Sequence, residues 1–226
     1  MSAQAEKALV LLSGGQDSST CLYWAIDRFG RDAVSSITFN YGQKHGIELE
    51  CAEAIAAHAG VAFACLPINT FTALGGDALT ENGIAVEQEL DAETGLPNTF
   101  VPGRNLVFLT YAAAFAYQRG IAHLVTGVSQ TDYSGYPDCR QATLNSLQQT
   151  IRLGMETDVE IHAPLMQRSK KETVELAREL GALEVMADTH TCYNGMRPPC
   201  GTCSACKLRA QGFSEAGVED PLIAHA

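Results

Sequence analysis

The 226-residue sequence predicts an α/β domain built on a parallel, doubly wound sheet, followed by a small metal-binding segment at the carboxyl end. Three observations lead there. An apolar run, Leu9-Val-Leu-Leu12, passes directly into Ser13-Gly-Gly-Gln-Asp-Ser18 and then into a helical pattern. Apolar and helical stretches alternate over residues 8–66 as β-α-β-α-β, which implies parallel strands joined by right-handed crossovers, with ligands at the carboxyl edge of the sheet. Four of the eight cysteines crowd into residues 192–206. The expected division is a main domain over 1–182 and a segment over 183–226 packed on it.

Each element follows from local pattern. Residues 8–12 are continuously apolar, as in a strand covered on both faces, and 18–26 read as a helix opening on hydroxyls. Residues 34–40 read as the second strand, the alanine-rich stretch 47–59 as the second helix, and 61–66 as the third strand. From 69 to 102 periodicity fails among Gly-Gly, Asn-Gly and Pro-Gly punctuation, and a loop of that length is expected to be functional. Pattern resumes with a helix over 105–119, a strand over 122–127, a polar loop over 128–138 and a helix over 139–153. A strand over 160–165 and a helix over 169–180 complete the series. The tail from Gly181 offers little apolar surface and requires another source of order.

The glycine pair after the first strand lets backbone N–H groups turn inward, and the helix start adds its positive dipole end, so the loop suits phosphate. An ATP-using enzyme is the expectation. The loop lacks the lysine of a GxxxxGK[ST] loop, and no GxGxxG follows the strand. SGGxDS instead resembles the loop of the pyrophosphate-loop ATPases, the adenine nucleotide alpha-hydrolase type of fold. That resemblance implies a loop that holds departing pyrophosphate while a substrate oxygen attacks the α-phosphorus.

Composition narrows the class. Lys plus Arg number 15 against 26 Asp plus Glu, a net charge of -11, which disfavours capture of a nucleic acid. Residues 1–7 lack the features of a secretory signal, and no apolar stretch is long enough to span a bilayer, so a cytoplasmic protein without membrane partners is expected. Cys192, Cys200, Cys203 and Cys206 are spaced C-x7-C-x2-C-x2-C, which suits four thiolates around one tetrahedral Zn²⁺. An iron-sulfur cluster, a redox or sulfur-carrying CxxC, and unligated packing are the alternatives. A zinc here is read as structural, its binding supplying folding free energy to the tail.

Further polar segments sit at the ends of predicted strands: Asn40-Tyr-Gly-Gln-Lys-His45, Val101-Pro-Gly-Arg-Asn105, Thr131-Asp-Tyr-Ser-Gly-Tyr-Pro-Asp-Cys-Arg140 and Ser169-Lys170. With SGGQDS and the cysteine cluster, these resemble the 7-cyano-7-deazaguanine synthase family of queuosine biosynthesis over nearly the whole chain. The resemblance implies an ATP-dependent carbon-nitrogen ligase that converts 7-carboxy-7-deazaguanine and ammonia to the nitrile. The carboxylate is adenylated and opened by ammonia to the amide, and the amide is adenylated and loses AMP. It also implies a homodimer. Two alternatives share the loop: transfer of the adenylated deazaguanine to a protein amine, and tRNA thiolation.

The same resemblance assigns residues. ATP is expected to meet Leu12, Ser13, Gly14, Gly15, Gln16, Asp17, Ser18, Ser19 and Thr20, with Asp17 binding Mg²⁺ and Lys170 supplying the missing positive charge as the other catalytic residue. Lys170 as an exposed helix lysine is the plainer alternative. Arg104 is expected at the nucleotide or, with Asn105, at the cap of a helix. Tyr41, Gln43, Lys44, Asp132, Tyr133, Tyr136, Asp138 and Arg140 are the expected substrate contacts, a carboxylate suiting the guanine-like N–H edge and an arginine suiting a carboxylate or phosphate. A salt bridge between Asp138 and Arg140 is the alternative for that pair.

Overall fold

A computed structural model describes residues 6–43, 45–81, 84–87, 90–130 and 136–224. Lys44, Asp132 and Tyr133 lie outside the described residues. Five strands, β1 (Ala8–Leu11), β2 (Val34–Asn40), β3 (Ala62–Pro67), β4 (His123–Val125) and β5 (Glu160–His162), form one sheet in the order β3-β2-β1-β4-β5. Every pairing is parallel. The chain runs outward in one direction through β2 and β3, then returns to the other side of β1 for β4. The switch point therefore lies between the carboxyl ends of β1 and β4, where sheets of this kind bind ligands.

Strand alternation places the core on both faces. Ala8, Val10 and Leu12 pack with Leu22 of α1 (Gln16–Phe29) and Ile55 of α2 (Ile47–Ala59), whereas Leu9 packs on the opposite face. That opposite layer contains α4 (Arg104–Tyr117) and α5 (Gln141–Met155), through Ala112, Ala113 and Ile151. Between β3 and α4 the described residues of the long segment carry one short helix, α3 (Phe71–Leu74), and a bridge from Leu90 to Pro97.

α1 starts two residues ahead of the expected boundary, which brings Gln16 and Asp17 into its first turn. β4 and β5 are shorter than expected, because Thr126 and Gly127 already line the cavity and a tight turn from Ala163 to Met166 follows β5. α5 starts at Gln141, behind a 3-10 turn over Pro137–Cys139.

The carboxyl segment needs the largest correction. After α6 (Lys170–Glu179) comes a 3-10 turn over Glu184–Asp188, then α7 (Ser204–Ala216) and α8 (Pro221–Ala224). Val185, Met186 and Phe213 are buried in the same cluster as Val10 and Leu22, so this tail does bury apolar surface. Arg209, 3 % exposed, fastens it. Its guanidinium donates to both oxygens of Asp220 at 2.7 and 2.8 Å, to the Thr189 and Thr191 hydroxyls at 2.7 and 3.1 Å, and to the Met186 carbonyl at 3.1 Å. Among the described residues no helix is long and apolar enough to cross a membrane.

Candidate active site

A cavity of about 350 Å³ opens at the switch point, a size within the range of small-molecule sites. Ser13, Gly15, Gln16, Asp17 and Ser18 line it from the loop after β1, and Thr126 and Gly127 from the end of β4. The loop is shaped by its own hydroxyls. Ser18 Oγ accepts from the Ser13 N–H at 3.1 Å, lies 3.0 Å from Ser13 Oγ and donates to the Gly15 carbonyl at 3.1 Å. Gly14 has a φ of +82°, and a Cβ there would lie 2.4 Å from the Glu48 carbonyl, so glycine is required for α2 to approach the loop. Ser19 and Thr20 are fully buried, and their hydroxyls donate back to the Gly15 and Gln16 carbonyls at 2.8 and 3.0 Å. Gly14, Ser19 and Thr20 are outside the cavity lining, while Leu12 contributes to it from the core.

Lys170 arrives from the far end of the chain. It is the first residue of α6, and its position is fixed by a capping box in which Ser169 Oγ accepts from the Glu172 N–H at 3.3 Å and Glu172 Oε2 accepts from the Ser169 N–H at 2.7 Å. Such a cap stabilises a helix by about 1 kcal/mol. Lys170 Nζ donates to Asp17 Oδ2 at 2.6 Å, with the lysine side chain 16 % exposed. Lys170 is therefore part of the cavity, not a solvated helix lysine. Asp17 Oδ1 and Gln16 Nε2 are buried without a hydrogen-bond partner among the described residues. A carboxylate oxygen in that state, beside a phosphate-suited loop, fits a hard cation such as Mg²⁺.

The other end of the cavity is aromatic. Tyr41 follows β2, and its ring lies 5.2 Å from Phe108 and 5.6 Å below the Arg104 guanidinium, which also donates to the phenol oxygen at 3.3 Å. Burial pushes the Tyr41 phenol up to about 12, against the pull of Arg104. Tyr136 reaches the long segment through a 2.6 Å hydrogen bond between its phenol and the Thr99 hydroxyl. Leu79, Leu90, Pro97 and Thr99 of that segment line the cavity, with Tyr193 from the cysteine region. Gln43 also lines it, although Oε1 accepts from the Tyr41 N–H at 2.9 Å.

Two expected substrate contacts stand elsewhere. Asp138 is buried behind α4, where Oδ2 accepts from the Asn105 N–H at 3.1 Å and so caps that helix. Arg140 is exposed at the start of α5, outside the cavity lining. Several lining residues escape sequence reading, among them Thr126, Gly127, Phe108, Tyr193 and the charged Glu48. Glu48, in the first turn of α2, has its carboxyl pushed up to about 7 by burial, with Arg104 opposing. In sequence it is an ordinary acid at a helix start, a placement that the dipole alone explains.

The sulfurs of Cys192, Cys200, Cys203 and Cys206 lie within 4.8 Å of one another, and those of Cys200 and Cys206 are 3.9 Å apart. Tetrahedral thiolates around Zn²⁺ stand about 3.8 Å apart, given Zn–S bonds of about 2.3 Å, so this set could hold such an ion. The Thr202 hydroxyl, with N–H groups of Thr202 and Cys203 and the Asn194 amide, holds the Cys200 thiol down to about 5. The cluster is tied to the phosphate loop: the His190 N–H donates to the Gly14 carbonyl at 2.8 Å, and His190 Nε2 lies 2.9 Å from the Cys192 carbonyl.

A parallel sheet of this order, with SGGQDS at its switch point, defines the chain as a protein of the pyrophosphate-loop ATPase fold. Solved structures share that fold. A predicted subunit of tRNA methyltransferase from Methanocaldococcus jannaschii aligns with a TM-score of 0.50 at 21 % identity, over 77 % of this chain and 75 % of that one. A 4-thiouridine synthetase in complex with RNA and bound ATP aligns with a TM-score of 0.52 at 20 % identity, over 97 % of this chain and 49 % of that one. Residues 7–217 match the model of the family described as Queuosine biosynthesis protein QueC. The 7-cyano-7-deazaguanine synthase of Chromobacterium violaceum is 64 % identical over 98 % of this chain and 94 % of its own length. That of Laribacter hongkongensis is 62 % identical over 96 % and 94 %. The chain belongs to the 7-cyano-7-deazaguanine synthase family of enzymes.

Proposed function

We propose that the chain converts 7-carboxy-7-deazaguanine and ammonia to 7-cyano-7-deazaguanine with consumption of ATP. The observation that carries this reading is the Lys170–Asp17 pair, set against the phosphate loop in a cavity that also has an aromatic end. In the first half, a substrate carboxylate oxygen bonds to the α-phosphorus of ATP and pyrophosphate leaves. Ammonia then attacks the acyl carbon, AMP departs and a proton is released, leaving the amide. In the second half, the amide oxygen bonds to the α-phosphorus of a second ATP and pyrophosphate leaves, and loss of AMP and the N–H protons then leaves the carbon-nitrogen triple bond.

Backbone N–H groups between Ser13 and Ser18 are suited to the pyrophosphate, and the Lys170 ammonium to the negative charge that develops on it. Asp17 would hold Mg²⁺, which neutralises phosphate charge when bound. Leu79, Leu90, Pro97 and Thr99 of the long segment line the cavity and would limit access of water to the activated acid. Cys192, Cys200, Cys203 and Cys206 would hold Zn²⁺ with all four positions filled, a role in folding.

Incubation with 7-carboxy-7-deazaguanine, MgATP and ammonium, followed by mass spectrometry of small molecules and protein, tests the proposal. AMP together with the nitrile is the expected result. Absence of both overturns it, and deazaguanine amide attached to protein selects a protein amine as acceptor.

A further inference from the structure

Glu48 lies in the aromatic half of the cavity as a carboxylate without a donor. It has no hydrogen bond or ion pair with any residue among those described, and its charge is felt by Arg104 and Tyr41. Its backbone is fixed, since its carbonyl is the atom that excludes a side chain from position 14. Arg104 is likewise engaged only in part, by one phenol oxygen at 3.3 Å and the ring below it. The side chain is half-buried, and a carboxylate that lines a cavity with no protein donor is left for a ligand or solvent to satisfy. Facing a cavity, that unmet demand is a specification of what the cavity accepts.

The specification excludes phosphate at this end, because a carboxylate repels it. It favours a planar group, because Tyr41, Phe108, Tyr136 and Tyr193 contribute to the walls. The guanine-like edge of a deazaguanine presents three groups in a row: a ring oxygen substituent, a ring N–H and an amino N–H. The two neighbouring donors match the two oxygens of one carboxylate, and the oxygen beside them matches a guanidinium. An adenine edge offers a single donor next to an acceptor and fills half of the carboxylate. Asp138, the carboxylate expected for this task, is already occupied as the cap of α4.

We propose that Glu48 and Arg104 read the guanine-like edge of the substrate, Glu48 accepting from the ring N–H and the amino group while Arg104 donates to the oxygen. The assignment rests on the functional reading above and deepens it by naming the specificity-determining residues. Glu48 is the sharper partner, since a carboxylate offers nothing to a ring that lacks donors there.

The test measures equilibrium binding to the full chain of three probes: 7-carboxy-7-deazaguanine, its analogue without the amino group, and MgATP. Loss of the amino group is expected to weaken binding to the unaltered protein by at least about tenfold. Glu48→Gln is expected to weaken the full ring compound by a similar factor, to bind the amino-less analogue no worse than the parent does, and to leave MgATP affinity within about twofold. Equal binding of both ring compounds by the unaltered protein overturns the inference, whether or not the variant folds. So does a Glu48→Gln variant that loses MgATP affinity and keeps the ring, which assigns Glu48 to the nucleotide. A protein that binds neither ring compound overturns the functional reading itself, a result distinct from indifference to the amino group.

Discussion

Lys170 Nζ lies 2.6 Å from Asp17 Oδ2, joining the first turn of α6 to the first turn of α1 across most of the sequence. The contact leaves Asp17 Oδ1 without a partner among the described residues and turns a loop without its own lysine into one that has a cation. Lys170→Met and Asp17→Asn are each expected to lower turnover about a hundredfold or more, the scale of losing a charged group aimed at developing charge. Circular dichroism is expected to stay at the parent level. Retained turnover in both variants would remove the pair from the chemistry.

Gly212 tests how Lys170 is held. A Cβ there would stand 2.9 Å from Lys170 Cβ and 3.0 Å from the Lys170 carbonyl oxygen. On helix propensity alone Gly212→Ala gains about 1 kcal/mol, but overpacking of a closed contact costs about 1–3 kcal/mol and displaces the neighbour. The crowding is expected to win. Urea denaturation should show lower stability, and turnover should fall along with it.

Arg209 is expected to be the most damaging single truncation in the carboxyl segment. Arg209→Met keeps much of the volume but strands the Asp220 carboxylate, of which 11 % of the side chain is exposed, and two threonine hydroxyls. Breaking one side of a buried ion pair costs about 3–5 kcal/mol. Chemical denaturation measures it directly, and the double variant Arg209→Met with Asp220→Leu should recover part of the loss.

Glu48 sets a pH dependence. Groups facing its carboxyl are Arg104 on α4 and the Tyr41 phenol after β2, with Asp17 and Lys170 at the phosphate end of the same cavity. Burial raises the folded value to about 7, so the carboxyl is protonated below that pH and ionised above it. Affinity for the ring compound should therefore rise as pH passes upward through 7, and Glu48→Gln should flatten the profile. Stability runs the opposite way. The unfolded carboxyl titrates near about 4.3, so the contribution of this residue is fully present below that value and is lost as pH rises through 7. Denaturation of the ligand-free protein at pH 5 and pH 8 checks the sign.

Those variants fall on both sides of what the sequence makes legible. Residues 8–20 reveal strand, loop and helix together because apolar run, paired glycines and hydroxyl-rich helix start all agree. Lys170 is legible from its place at a helix start, although its partner is not. α7 is hidden for a physical reason: its buried face is Cys206, Arg209, Gly212 and Phe213, a helical spacing in which just one member is a large apolar residue. Hydropathy periodicity cannot register a face made of a cysteine, an ion-paired arginine and a glycine contact. Asp138 and Glu48 exchange expected places for a related reason. Both are acids near helix starts, and only the packed chain decides which one meets backbone N–H groups and which one meets the cavity.

The hydrogen bond from His190 to the Gly14 carbonyl has a consequence for handling the protein. It joins the strand of chain leading to Cys192 to the glycine turn after β1, so a metal at the cysteines and a nucleotide at the loop would draw on one shared conformation. Coupling of that kind is reciprocal. If the four cysteines hold a metal, a saturating nucleotide should tighten their affinity for it, and stripping the metal should weaken nucleotide affinity by the same factor. Prolonged contact with a chelator would then yield preparations whose secondary structure passes inspection while their nucleotide affinity has drifted, with the fault seated in a cysteine cluster that touches no phosphate.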